Sequence, residues 1–338
     1  MRVERDGADM TARGEARTGR WWKHAAAGLA AVGLAVALSA CGGGSTGAIQ
    51  AFKPERMMVL GDEFSVLLPD GRKFGVNAYV SGTAQIDCAT HPLWVQSVAT
   101  VFGLTFAQCN PDGVSVTAAQ IYAQPGAKAA DVGAQIDRAL AGGAFSEAQL
   151  VTMYFGFNDV LELYTQYPNR TQAALKAEIR ERGVALGLQV NRVARAGPAV
   201  LLLTAPDLGL APFGAAETLA KPEPSGAITR AKFLSELTDS FNAGLRVTII
   251  NDGRLIGLVS SDQMVRDIQP PFTSFYGFTN LTTPLCRADV APPNCGTDTM
   301  VEGADTASWG YATDKLFGPA LQTRLGQIAA SRAVRNPF

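Results

Sequence analysis

Four short, strongly apolar segments, Arg56 to Leu60, Val151 to Phe155, Ala199 to Leu203 and Leu255 to Val259, are separated by stretches whose apolar residues recur at three- and four-residue steps. A strand that is apolar at nearly every position has no solvent face, so it belongs inside a sheet covered on both sides. The intervening stretches have the other period. Pro92 to Phe102 carries Trp94, Val95, Val98 and Val101 at helical spacing, and Ala130 to Leu140 is a helix stopped by Gly142-Gly143. From Thr171 onward, Leu175, Ile179, Leu186, Val190 and Val193 share one helix face. Further helices are expected over Phe233 to Asn242 and Pro319 to Arg332. Strands alternating with helices specify one doubly wound α/β/α sandwich around a parallel, flavodoxin-like sheet.

The first 40 residues stand outside that pattern. Basic and aromatic Arg20-Trp21-Trp22-Lys23-His24 precedes a small-apolar run from Ala25 to Ala37, too short to span a bilayer and laid out as an export signal. The run closes on Leu38-Ser39-Ala40-Cys41, which resembles the lipobox of bacterial lipoproteins. That resemblance implies cleavage before Cys41 and a lipid on its thiol. Residues 1–40 are therefore expected to be a lipoprotein signal peptide, with Met10 as an alternative start. Residues 41–54 are the lipidated Cys and a flexible tether opened by Gly42-Gly43-Gly44-Ser45, and residues 55–338 form the domain. Gly rather than Asp after Cys41 implies an exported, lipid-anchored protein of the bacterial envelope, at the outer membrane, with the membrane as its partner through Cys41.

Composition narrows the function classes. With 47% apolar and 17% charged residues the chain is not disordered. Its net charge is −1, and setting the signal aside leaves a mildly acidic remainder without a basic stripe for nucleic acid. Cys88, Cys109, Cys286 and Cys295 remain beyond Cys41, and an even set in an exported chain points to two disulfides. Of three connectivities, Cys88 with Cys109 and Cys286 with Cys295 is expected, because each pair is close in sequence and lies in a turn-rich stretch. No CxxC spacing or His cluster accompanies them, so no metal and no cofactor is expected.

In doubly wound folds ligands sit beyond the carboxyl ends of the strands. There the chain places Gly61-Asp62-Glu63-Phe64-Ser65 and Gly156-Phe157-Asn158-Asp159. These two blocks, with Tyr122-Ala123-Gln124-Pro125-Gly126-Ala127, Thr204-Ala205-Pro206-Asp207, Phe241-Asn242 and Tyr276-Gly277-Phe278-Thr279-Asn280, resemble the GDSL or SGNH hydrolases, in particular their secreted esterase and lipase branch. The resemblance spans nearly all of residues 55–338. It implies an oxyanion site made by the Gly126 N–H and the Asn158 side chain, with Gly61, Asp62, Gly156 and Asp159 shaping the turns.

Two positions depart from the family pattern. Glu63 stands where the nucleophilic Ser belongs. In Asp314-Lys315-Leu316-Phe317-Gly318-Pro319 the triad Asp is kept as Asp314, while Phe317 replaces the His. Ser65 has no base assigned to it, and His91, in Thr90-His91-Pro92, reads as a helix-start residue. Without an imidazole, serine activation has no base. The leading expectation is a lipoprotein of this family that binds a small-molecule, lipid or glycan ligand, or a partner, without Ser-His ester hydrolysis. A second reading keeps hydrolase activity on ester or glycosidic bonds through a Glu63–Asp314 carboxylate pair flanking Asn158. A third makes Glu63 the cap of a helix after the first strand in a structural envelope lipoprotein. Tyr154, Phe155 and Phe157 read as core, and Arg180-Glu181-Arg182 as a solvated helix face.

Overall fold

The computed structural model describes residues 52–251 and 253–335. The signal peptide and Cys41 lie outside the described residues. Strands β1 (Arg56–Gly61), β4 (Ala119–Ile121), β5 (Gln149–Tyr154), β6 (Ala199–Leu203) and β7 (Ile256–Val259) form the main sheet, and β2 (Ala78–Tyr79) with β3 (Ile86–Asp87) make a small antiparallel ribbon. The helices are α1 (Trp94–Val101), α2 (Val132–Ala141), α3 (Phe157–Tyr164), α4 (Gln172–Arg195), α5 (Pro212–Ala220), α6 (Arg230–Thr248), α7 (Ser261–Asp267) and α8 (Pro319–Ala333).

The main sheet runs in the order β4-β1-β5-β6-β7, with every neighbouring pair parallel. This is the doubly wound α/β architecture expected from the apolar runs. Strand β5 is buried at all six positions and β1 at all but Arg56, as central strands must be. Strand β4 was not expected. It is a three-residue edge strand with only Ala119 buried, too short and too half-exposed to show a period.

Helices α1 and α8 pack together against the sheet, and α4 with α6 forms a second pair. The α4–α6 crossing is tight because glycines face it. A Cβ on Gly183 would stand 2.1 Å from the Phe241 carbonyl, and one on Gly244 would stand 2.1 Å from that of Arg180. Phe52, assigned above to the tether, packs edge-on against Phe102 at 5.9 Å, so the folded body starts earlier than residue 55.

Both expected disulfides are formed, with Cα atoms 5.6 Å apart for Cys88–Cys109 and 5.9 Å apart for Cys286–Cys295. The second lies in the irregular stretch between α7 and α8, where Leu285, Ala312 and Val76 make a small core of their own. No described helix is long and apolar enough to cross a membrane.

Candidate functional site

Strand β1 delivers its carboxyl end into a clamp. The side chain of Gln135, buried on α2, accepts from the Gly61 N–H at 2.8 Å and donates to the Gly61 carbonyl at 2.9 Å. Asp62 then donates its N–H to the Tyr154 carbonyl, and its Oδ1 accepts from the Phe64 N–H at 3.1 Å. This starts a single 3-10 turn, Glu63–Ser65, rather than an α-helix. The capping residue is Asp62, which corrects the expectation that Glu63 caps a helix.

The turn sends neighbouring side chains in different directions. Ser65 is fully buried and its Oγ accepts from Trp94 Nε1 at 3.3 Å, so it faces the core and not a cleft. Phe64 is buried in a ring cluster with Tyr154, Phe157 and Phe317. Glu63, half-buried, points outward. Its Oε2 accepts from the Gly126 N–H at 2.9 Å and from Asn158 Nδ2 at 2.8 Å. The two donors assigned to an oxyanion therefore converge on one oxygen, and that oxygen belongs to the chain itself.

Asn158 owes its place to Gly156, which turns β5 into α3 with φ 109°. A Cβ there would meet Phe241 at 2.5 Å and Ala205 at 2.7 Å, so no larger residue fits. The first turn of α3 also grips the loop carrying Gly126. Asn158 Nδ2 donates to the Ala127 carbonyl at 3.2 Å, while Asp159 Oδ2 accepts from the Ala129 N–H at 2.9 Å. Asp159 is thus a brace between two segments. Burial pushes its carboxyl up from the ordinary range, and Arg182, 3.3 Å away, pulls in the opposite direction. Arg182 also binds Glu162 and, at 2.9 Å, Glu178. It is therefore a half-buried hub and not part of a solvated face.

The C-terminal part of the site is built around Phe317 and Asp314. Residues 311–317 form a hairpin in which Tyr311 bridges Phe317. Phe317 is only 2% exposed and stacks edge-on with Phe64 at 4.9 Å and Tyr311 at 6.0 Å, filling its position with apolar ring. The Asp314 carboxylate pairs with Lys315 Nζ, and Lys315 lies over the Phe213 ring. No hydrogen bond links Asp314 to Glu63 or Asn158; the Asp314 carbonyl instead accepts from the Phe213 N–H at 2.8 Å. Among the described residues the Asp314 side chain has its hydrogen bond from Lys315, and no hydrogen bond joins it to the pair formed by Glu63 and Asn158. His91 is half-buried at the start of α1 with φ 56°, and its carbonyl accepts from Lys73 Nζ. Among the described residues no group of three or more His, Cys, Asp or Glu is placed to hold a metal.

Asp62 is 1% exposed and its Oδ2 has no partner. Burial, reinforced by the charge of Glu63, pushes its carboxyl well above the ordinary 3.8. The folded state therefore keeps a proton that the unfolded chain releases, and stability falls as pH rises from about 3.8 through the raised value. Asp62→Asn retains an acceptor for Phe64 and removes the ionisation, so its unfolding free energy, measured by urea titration across that range, should be flatter with pH than the wild type's. Equal slopes would show that Asp62 ionises freely.

Sequence reasoning missed Gln135 and Arg182. A signal for Gln135 exists in retrospect: it shares the apolar face of α2 with Val132, Ile136 and Ala139, where an unpaired amide would be costly.

No protein-family model and no curated protein matches the chain. Among solved structures it is similar to Axe2, an acetylxylan esterase from Geobacillus stearothermophilus, at 12% identity and TM-score 0.39, covering 85% of this chain and 100% of that one. LAE5, an α/β hydrolase enzyme from the metagenome of Lake Arreo, Spain, is similar at 13% identity and TM-score 0.40, covering 84% and 98%. TesA is similar at 14% identity and TM-score 0.36, covering 84% and 99%.

Proposed function

We propose that this chain is an SGNH-type lipoprotein of the bacterial envelope, anchored through Cys41, whose esterase-like site binds a ligand or partner and does not hydrolyse esters by Ser-His chemistry. One observation carries this reading: Glu63 Oε2 already accepts from both Gly126 and Asn158. In ester hydrolysis those donors must meet the oxygen that gains charge in the transition state, a contribution of about 3 kcal/mol per donor. Here an ester would have to displace a carboxylate bonded to both. It would then find no hydroxyl at residue 63 and a phenyl ring at residue 317, so neither attack nor proton transfer has a group to perform it.

The test is an assay of the chain from Ser45 onward against short- and long-chain p-nitrophenyl esters, acetylated sugars and a fluorophosphonate probe. Hydrolysis at the buffer rate and no labelling are expected. Turnover with labelled Ser65 would overturn the proposal. Turnover abolished by both Glu63→Gln and Asp314→Asn would instead establish the carboxylate mechanism.

A further inference from the structure

A second concavity opens at the same end of the sheet and shares no residue with the Glu63 site. Strand β6 leads into a 3-10 turn, Leu208–Leu210, and then into α5. Between this corner and the stretches around residues 269–273 and 279–282 lies a groove of about 590 Å³, within the range of small-molecule sites, roughly 300 to 1,000 Å³. Its floor is aliphatic, with Leu210, Pro212, Ala215 and Leu281.

The groove is electrically neutral by construction. No charged side chain lines it. Of the charges nearest in sequence, Asp207 pairs with Arg266 at 2.8 Å, Glu217 with Lys221 at 2.6 Å and Arg230 with Glu223, Asp267 accepts from Gln263 Nε2 at 2.7 Å, and Lys232 is exposed to solvent rather than turned into the groove. Its polar lining includes two amides, each half used. Asn280 Oδ1 accepts from the Thr282 and Thr283 N–H groups, and Gln269 Nε2 donates to the Val265 carbonyl at 3.0 Å. One amide donor, Asn280 Nδ2, and one acceptor, Gln269 Oε1, are left without a partner among the described residues. The loop that supplies Pro270 and Thr273 also carries Phe272 and Phe275, 58% and 80% exposed.

We propose that this groove binds a neutral ligand with an aliphatic chain and a head that both donates and accepts one hydrogen bond, such as an amide. Neutrality is the argument for that occupant. An ionised head would be desolvated against Leu, Pro and Ala with no opposite charge to meet it, whereas an amide finds complementary groups in Asn280 and Gln269. The proposal goes beyond the reading of the Glu63 site and does not depend on it.

The probe is N-phenyl-1-naphthylamine, a neutral apolar fluorophore, titrated into the chain from Ser45 onward, with decanamide and decanoate as competitors. Saturable one-to-one binding is expected, with decanamide displacing the probe at a concentration about tenfold below decanoate, reflecting the desolvation of the carboxylate. Ala215 is exposed on α5, so Ala215→Trp should fill the groove and abolish probe binding with an unchanged melting temperature. Glu63→Ala should leave probe binding unchanged, which separates failure here from failure at the other site. Absent or non-saturable binding, equal competition by decanoate, or full binding in Ala215→Trp would each overturn the proposal. So would a concentration-dependent dimer abolished by Phe275→Ser, which would make this face a contact between copies of the chain.

Discussion

Lys73→Met is expected to lower the unfolding free energy by about 3 kcal/mol, since it takes the donor from the carbonyls of Thr90 and His91 and leaves that of Cys88 with Gln96 Nε2 alone, at roughly 1 to 3 kcal/mol per group left unpaired, partly offset by removal of a buried charge. Lys73 is 1% exposed, and its Nζ donates to the carbonyls of Cys88 at 3.1 Å, Thr90 at 2.8 Å and His91 at 2.9 Å. Its own N–H and carbonyl are held by the Asn77 amide, which also reaches the carbonyls of Pro293 and Cys295. A five-residue strap thus ties the loop of one disulfide to the loop of the other. Burial lowers the Lys73 ammonium from 10.5 to about 8, against a smaller opposing pull from Asp87. A depressed cation contributes stability that is present above 10.5 and lost as pH falls through about 8. The wild type should therefore gain on the methionine variant as pH rises between those values. Urea unfolding under oxidising conditions measures both effects, and a loss below about 1 kcal/mol at neutral pH would refute the strap.

Arg182→Met should cost about 3 kcal/mol at neutral pH, because removing one partner of a buried pair leaves the other charge uncompensated. Asp159, 1% exposed, would keep its bond to the Ala129 N–H and lose its cation. Its carboxyl, already raised by burial, would rise further without Arg182. The penalty should consequently be small in acid, where Asp159 is protonated in both states, and grow as pH rises through the raised value. In the double variant Arg182→Met/Asp159→Asn most of the loss should return, a coupling above about 1 kcal/mol in the mutant cycle. Amide exchange at Gly126 supplies a readout of the site itself. If the brace positions the loop, exchange there speeds up in Arg182→Met and recovers in the double variant. Additive losses and unchanged exchange would show that Arg182 acts only through surface pairing with Glu162 and Glu178.

Both residues show where reading along the chain stops being informative. Lys73 follows Gly71-Arg72 in what reads as a polar turn, and nothing local distinguishes a lysine in water from one enclosed by carbonyls 15 to 18 positions on. Arg182 sits beside the apolar stripe of α4, where a solvated face is the default reading. Its burial depends on α3 lying across that helix, and α3 itself was concealed inside the Gly156-Phe157-Asn158-Asp159 block. Strand β4 was missed for a related reason: with one neighbour and a single buried position, its three residues carry no period. Helix α5 had a signal, Pro212 at its first turn, but its exposed Ala and Leu residues mask the buried face.

By itself the sequence determined the four central strands of the sheet and the blocks that carry Glu63, Gly126 and Asn158. Short runs apolar at nearly every position, bounded by turn residues and alternating with helical periods, fit doubly covered strands. The Gly61-Asp62 and Gly156-x-Asn158 blocks must then fall at their carboxyl ends, and the nearness of the cysteines in sequence favoured, among three connectivities, the two pairs that are formed. Tertiary structure alone decided what those groups do to one another. Glu63 lies 63 residues from Gly126 and 95 from Asn158, yet its carboxylate binds both. Asp314, equally available in the chain, is taken by the lysine beside it. Whether a carboxylate serves as acid, ligand or plug depends on which donors reach it first, and a hydrogen bond acts over about 3 Å, a distance that only the packed chain sets.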